Sequence, residues 1–245
     1  MSIITLTTDF GAADWFVGSM KGVILGINPQ TTVVDITHEV PAGDIRAGAF
    51  ALMAGYRSFA RGTVHVAVVD PGVGGPRAAL AVRTASCVFV GPDNGVLSWA
   101  LRWEKVEEVR RLENADYFRH PVCPTFHGRD VFAPVAAHLS KGVKFDALGP
   151  LTGEWVNQPW PEPTAHGGEI IYIDRFGNAI TNLREAATAV IVGGQEIPVR
   201  PFYQAVPAGQ PLALISSTGL LEIAVNGGCA ARGLGLKVGH VVNLR

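Results

Sequence analysis

The segment VVDPGVGGPR (68–77) sets a carboxylate and a guanidinium, Asp70 and Arg77, at the two ends of a stretch holding three glycines and two prolines. Glycine and proline at that density turn a strand sharply into a stiff loop. Such a pair either pins the loop as a salt bridge or braces a group that reacts. Other polar clusters stand beside apolar runs. TTDFG (7–11) puts Asp9 at the end of the first run, where it can accept hydrogen bonds from a ribose diol or cap the next turn. GPDNG (91–95) offers Asp93 or Asn94 as a helix cap, and FHGRD (126–130) sets His127 between an aromatic residue and a glycine. IDRFGN (173–178) ends a strand in Asp174 and turns through Gly177 and Asn178, as a hairpin does. In SSTGLLEIAVNGG (216–228), Ser216 and Ser217 precede a glycine, and Glu222 and Asn226 keep a period of two with Ala224. Each cluster has an ordinary structural reading. Strand ends are also where open α/β sheets place their ligands.

The elements that must position these residues fall into two groups. IITLTTD (3–9), TTVVDIT (31–37) and TVHVAVVD (63–70) read as strands. Asp14 caps a helix that Asn28-Pro29 stops near Ile27, and Asp44 caps a second over IRAGAFALMAGYRSF. ALAVRT (79–84) and CVFVG (87–91) lie close enough to pair antiparallel. A short helix follows Asn94-Gly95, and Asp130 begins another that Gly142 ends. This alternation predicts a mostly parallel sheet covered by helices. NQPWPEPTAHGG (157–168) then carries three prolines in five positions, a stiff connector. Seven short strands separated by Gly, Pro or Asn follow it: GEIIYID, NAITNL, TAVIVGG, QEIPVRP, PLALIS, LLEIAVN and HVVNLR. The expected fold is an α/β N-terminal domain (1–157), a proline-rich linker (158–167) and a smaller all-β, barrel-like C-terminal domain (168–245).

Composition narrows the chemistry. A chain of 245 residues, 48% apolar and 17% charged, can bury a sizeable core. Its net charge is −1 and no Lys/Arg run reaches five, so nothing points to nucleic acid. No GxGxxG follows the first strand and no GxxxxGK[ST] occurs, which disfavours a dinucleotide or a triphosphate held in the usual cradle. Cys87, Cys123 and Cys229 form no CxxC pair and read as buried thiols. No HExxH occurs, and no metal is expected. The N-terminus has no charged leader, and no run of 18 apolar residues crosses a membrane, so a reduced cytoplasmic protein is expected.

VVDPGVGGPR, GPDNG, FHGRD, IDRFGN and SSTGLLEIAVN, with TTDFG before them, occur in the order and spacing of the S-adenosyl-L-methionine hydroxide adenosyltransferases. The chain resembles this family, relatives of the fluorinase and chlorinase enzymes, from about residue 3 to 244. The resemblance implies an N-terminal α/β domain with a C-terminal β-barrel, and a homotrimer whose sites lie at subunit interfaces. It implies hydrolysis of S-adenosyl-L-methionine to adenosine and L-methionine, the ligand being substrate and no cofactor being needed. The family's hydrolytic Asp-Arg-His set falls on Asp70, Arg77 and His127. Asp9 would bind the ribose hydroxyls, and Asp174 and Asn178 the methionine end. Ser216 and Ser217 would lie near its carboxylate, Glu222 near its amino group, and Asn226 beside adenine.

That chemistry suits these residue types. Sulfonium makes methionine a good neutral leaving group, so what is needed is a nucleophile in line with the C5′–S bond. Water, with a pKa of about 15.7, is a poor one. A neutral His127 would take its proton. Arg77 would stabilise developing hydroxide character, and Asp70 would hold Arg77 in place. The rival readings are a halogenase making a 5′-halo-5′-deoxyadenosine and a non-catalytic nucleoside-binding module.

Overall fold

A computed structural model describes residues 2–184 and 188–245, which form two compact units, Met1–Pro159 and Trp160–Arg245 by chain position. The division falls within the proline-rich stretch.

In the first unit β1 (Ile3–Thr8), α1 (Phe16–Ile27), β2 (Thr32–Thr37), α2 (Ile45–Gly55) and β3 (Val64–Val68) alternate. Then come β4 (Ala79–Thr84), β5 (Val88–Pro92), α3 (Ser98–Leu101), β6 (Val106–Arg111) and α4 (Ala133–Ser140). The six strands form one mixed sheet in the order β2-β1-β3-β5-β4-β6. β2, β1, β3 and β5 run parallel, and β4 pairs antiparallel with β5 and β6. Parallel pairing needs long crossovers, which α1 and α2 supply; the three-residue loop between β4 and β5 permits only the antiparallel kind. Ile4, Leu6, Val64, Val66 and Val68 pack against Met20 and Ile24 of α1 and Val135 and Ala136 of α4. The opposite face buries Thr5, His65 and Phe89, with Tyr56 at the end of α2 in edge contact with both rings. Burial on both faces explains why these strands read as continuous apolar runs.

Two expectations for this unit need correction, and one strand has no counterpart in the sequence reading. β6, VEEVRR, carries no apolar alternation and reads as nothing; it is an edge strand held to β4 by backbone pairing, with Glu108 pairing with Arg83 of β4 and with Arg110. Asp14 caps no helix: α1 starts at Phe16 after Trp15, with no side-chain cap, whereas Asp44 does cap α2 through the Ala47 amide (2.9 Å). Asp130 caps no helix either, lying inside a π-helical turn (Gly128–Phe132) that runs into α4.

The second unit holds β7 (Gly167–Ile173), β8 (Ala179–Thr181), β9 (Ala189–Val192), β10 (Gln195–Pro198), β11 (Pro211–Ile215), β12 (Leu221–Val225), a short α5 (Ala230–Gly233) and β13 (Val241–Leu244). They pair antiparallel in the order β10-β9-β13-β7-β8-β12-β11. Just beyond β10, Val199 bridges Ala213 of β11, and the Arg200 amide donates to the Ala213 carbonyl (2.7 Å). The outermost strands of the order therefore meet, and the sheet is nearly a barrel around Ile170, Val190, Ile197, Leu221, Ile223 and Val242.

Candidate active site

Asp9 and Asp70 both stand just past the C-terminal ends of neighbouring parallel strands, β1 and β3. Asp9 Oδ2 accepts from the Gly43 amide (2.8 Å), so its carboxylate ties the loop after β1 to the loop after β2 rather than capping its own turn. Beside Asp70, Asn94 of the GPDNG turn donates from Nδ2 to the Val69 carbonyl (2.8 Å) and steadies the backbone there. Asp93 accepts from the Val156 amide (2.7 Å). Neither residue caps the helix that follows.

The glycine loop curls through Val73 N–H to Asp70 O (3.1 Å) and Gly75 N–H to Gly72 O (3.0 Å). Gly74 sits at φ +75°, and a Cβ there would lie 2.3 Å from the Pro124 carbonyl oxygen. Only glycine lets the 70–77 loop approach the segment leading to His127 so closely. The approach brings three side chains together. Arg77 donates from Nε to Asp70 Oδ1 (3.0 Å), from Nη2 to Asp70 Oδ2, and from Nη2 to His127 Nδ1 (2.8 Å). The Asp70 side chain is 4% exposed and that of Arg77 12%, so the ion pair is largely withdrawn from water. The Arg77 guanidinium also lies over the Phe132 ring, 5.5 Å from its centre.

A guanidinium has no acceptor, so His127 Nδ1 accepts, and the neutral ring carries its hydrogen on Nε2. Burial, and then the neighbouring Arg77 charge, hold the imidazole below the usual histidine pKa. His127 therefore reaches neutral pH uncharged, with its one lone pair aimed at Arg77.

Asp70 and His127 face a pocket of about 180 Å³ whose other walls are mostly apolar, among them Phe10, Phe16 and Phe126. The three rings pack on one another with centres 5.2–5.9 Å apart. This aromatic wall was missed in the sequence, although Phe10 and Phe126 sit inside TTDFG and FHGRD beside the residues singled out.

Asp130 was also misread. It is wholly buried and accepts from Arg129 Nε (2.7 Å), Arg119 Nη1 (3.1 Å), Arg129 Nη2 (2.7 Å) and the Cys123 amide (2.9 Å). Burial alone would raise its pKa; the donors from Arg129, Cys123 and Arg119 outweigh this and lower it. Arg129 in turn lies over the Phe126 ring at 4.9 Å. The FHGRD segment is thus held from behind by a carboxylate with every lone-pair direction in use. Cys123 and Cys229 are not the buried thiols expected: only Cys87 is buried, and the other two are half-exposed in loops.

In the second unit, Asp174 Oδ1 accepts from the Phe176 and Asn178 amides (2.9 and 2.8 Å) and Oδ2 from Asn178 Nδ2 (3.1 Å). The two residues build one rigid turn, packed against Cys229 at Gly177. Glu222 is 4% exposed and accepts from the Tyr203 hydroxyl (2.7 Å). Burial pushes the Glu222 carboxyl up, and the Asp174 charge adds to the rise. Burial beside that carboxylate pushes Tyr203 up to about 12. Tyr203 carries no recognisable motif. Ser216 Oγ bonds Thr218 Oγ1 (2.8 Å), and Ser217 is exposed on the same turn. Asn226 Nδ2 donates to the Val206 carbonyl (2.8 Å). Among the described residues no cluster of three or more His, Cys, Asp or Glu side chains can hold a metal, and no helix is long and apolar enough to cross a membrane.

The chain matches the SAM hydroxide adenosyltransferase N-terminal domain over residues 4–149 and the C-terminal domain of the same family over residues 168–243. A Thermus thermophilus protein named (R)-S-adenosyl-L-methionine hydrolase is 40% identical over 255 residues, covering all of both chains. A fluorinase from Actinoplanes sp. is 26% identical, over 99% of this chain and 97% of its own. Among solved structures, a conserved protein from Thermotoga maritima superposes with a TM-score of 0.93 at 36% identity, covering 99% of this chain and 100% of that one.

Proposed function

The chain belongs to the SAM hydroxide adenosyltransferase family, and on that premise we propose that it hydrolyses S-adenosyl-L-methionine to adenosine and L-methionine. The observation that carries this reading is the Asp70–Arg77–His127 cluster, in which Arg77 meets a histidine 50 residues away beside an aromatic pocket. A water oxygen attacks C5′ from the side opposite sulfur. The C5′–S bond breaks and its electron pair returns to sulfur, leaving the neutral thioether of methionine.

The proton has one acceptor on the imidazole, Nδ1, and Arg77 holds it. A water that inserts between Arg77 Nη2 and His127 Nδ1 accepts from the first and donates to the second. It is then polarised as its proton departs, a general-base contribution worth roughly 10²–10⁴-fold. Asp70 keeps Arg77 aimed. The Phe10, Phe16 and Phe126 walls exclude bulk water and strengthen each of these interactions.

The remaining assignments belong to the same reading. Asp9 takes the ribose hydroxyls, its place beyond β1 being the support. Asp174 and Asn178 take the methionine end, with Ser216 and Ser217 at its carboxylate and Asn226 at adenine. Glu222 takes the ammonium, a cation that would relieve its burial. No resident cofactor is required, since the substrate supplies its own leaving group. The enzyme works as a homotrimer with sites at subunit interfaces, in keeping with the exposure of Trp15 (68%), Phe176 (75%) and Phe202 (57%). It works in the cytoplasm, in keeping with three free cysteines.

Incubation with S-adenosyl-L-methionine, with and without chloride or fluoride, tests the reaction by product. Equimolar adenosine and methionine are expected in every arm. A 5′-halo-5′-deoxyadenosine, or substrate recovered intact after hours, overturns the reading.

A further inference from the structure

The catalytic cluster has a second side. Arg77 and His127 also line a cleft of about 250 Å³ that is separate from the aromatic pocket. Its inner walls include Ala79, Val122 and Val131, and Arg111 and Glu113 stand exposed in its lining. The division of residues is informative. Of these two cavities, Asp70 lines the aromatic pocket and not the cleft, Arg77 the cleft and not the pocket, and His127 borders both. His127 is therefore the residue the two cavities share, and its hydrogen bond ties it to Arg77 in the lining of the cleft.

This bears on a problem that hydrolysis by in-line displacement sets for any enclosed site. Each turnover consumes one water and releases one proton, both on the side of C5′ away from sulfur. On the hydrolase reading the reacting carbon lies on the aromatic-pocket side of His127 at that moment, and the bound substrate closes that side to solvent. We propose that the cleft is the rear entrance to the site, by which water reaches the space between Arg77 and His127 and by which the proton leaves. The proposal rests on the hydrolase reading above. The balance is that reading's own: water oxygen bonds C5′, the C5′–S electron pair goes to sulfur, and the water proton passes by way of His127 to solvent in the cleft. The entrance has a chemical consequence. Small nucleophiles enter past Val122 toward the Arg77 guanidinium, so its bore helps to decide what attacks C5′.

Val122 is half-buried and lines the cleft, which makes it the position at which the cleft can be narrowed or widened. Val122→Phe should lower kcat about tenfold or more with the KM for S-adenosyl-L-methionine unchanged, the split expected when substrate binding is intact and a later step is starved. Val122→Ala should do the reverse with azide as probe. Azide nitrogen bonds C5′ as the C5′–S bond breaks, giving 5′-azido-5′-deoxyadenosine and methionine, and the azide-to-adenosine product ratio should rise at least several-fold over wild type. Wild-type kcat and KM in Val122→Phe overturn the proposal, as does a loss confined to KM. Should Val122→Phe fail to fold, Val122→Ala decides alone: a wild-type product ratio overturns the rear entrance. Absence of adenosine from the wild-type enzyme is a different result, for it defeats the hydrolase reading itself.

Discussion

At the scale of single residues, one hydrogen bond governs the chemistry. Arg77 Nη2 to His127 Nδ1 forces the ring into its Nε2–H tautomer and, with burial, favours the uncharged form. On the proposed mechanism activity needs neutral His127, and it falls as pH drops through a pKa below the ordinary histidine range. Above that pKa the histidine contributes no further change. The acid limb of kcat against pH should therefore lie below about 6.5. His127→Asn keeps an acceptor near the Nδ1 position for Arg77 but cannot take a proton. It should retain substrate binding, lose roughly 10²-fold or more in kcat, and abolish that limb. An unchanged acid limb in His127→Asn would assign the titration to another group.

Among the elements, two loops matter more than any helix. The 70–77 loop meets the segment before His127 at Gly74, whose backbone lies in the left-handed region against the Pro124 carbonyl. Gly74→Ala adds a methyl where there is no space and strains φ. It should drive Arg77 from His127 and cut kcat by more than tenfold, with stability lowered by about 1–2 kcal/mol. Steady-state kinetics and urea unfolding read the two effects separately. The second device is Asp130, which holds Arg119, Arg129 and the Cys123 amide behind the same segment. Asp130→Ala leaves two guanidinium groups facing a vacated interior. Because both are partly exposed, a loss of about 2 kcal/mol is expected rather than the full cost of breaking a buried pair. The Cm in urea should fall with an unchanged m-value. Turnover should fall too, since Phe126 and His127 lose their backing.

The whole molecule carries a pH dependence away from the site. His65 of β3 is 1% exposed, its Nδ1 bonded to Thr5 Oγ1 (2.7 Å), and burial lowers its pKa from 6.5 to about 4. The unfolded chain takes up this proton first. Folding stability is therefore undiminished above about 6.5 and declines as pH falls toward about 4, by roughly 3 kcal/mol in all. Urea titrations at pH 7 and pH 5 should show a lower midpoint at pH 5. His65→Gln, which keeps a polar partner for Thr5 and does not titrate there, should flatten the difference. An equal decline in both proteins would place the proton uptake elsewhere.

Local pattern by itself determined much of this protein. Alternation and Gly/Pro punctuation mark all seven strands of the second unit, because a short strand's period and its turns are properties of neighbouring residues. Asp70 and Arg77 are legible as a pair for the same reason: seven positions of stiff loop leave their side chains few places to go. β6 was illegible because an edge strand in water needs no apolar face, and its identity rests on β4 alongside it. Asp130 looked like a helix start because local spacing cannot tell a carboxylate there from one buried between its neighbour Arg129 and Arg119 from an earlier segment. Only the tertiary structure decided that His127 meets Arg77, which of its nitrogens is spent there, and that a second cleft opens behind it. Those facts depend on contacts between loops distant in the chain and on the single missing Cβ at Gly74 that allows them.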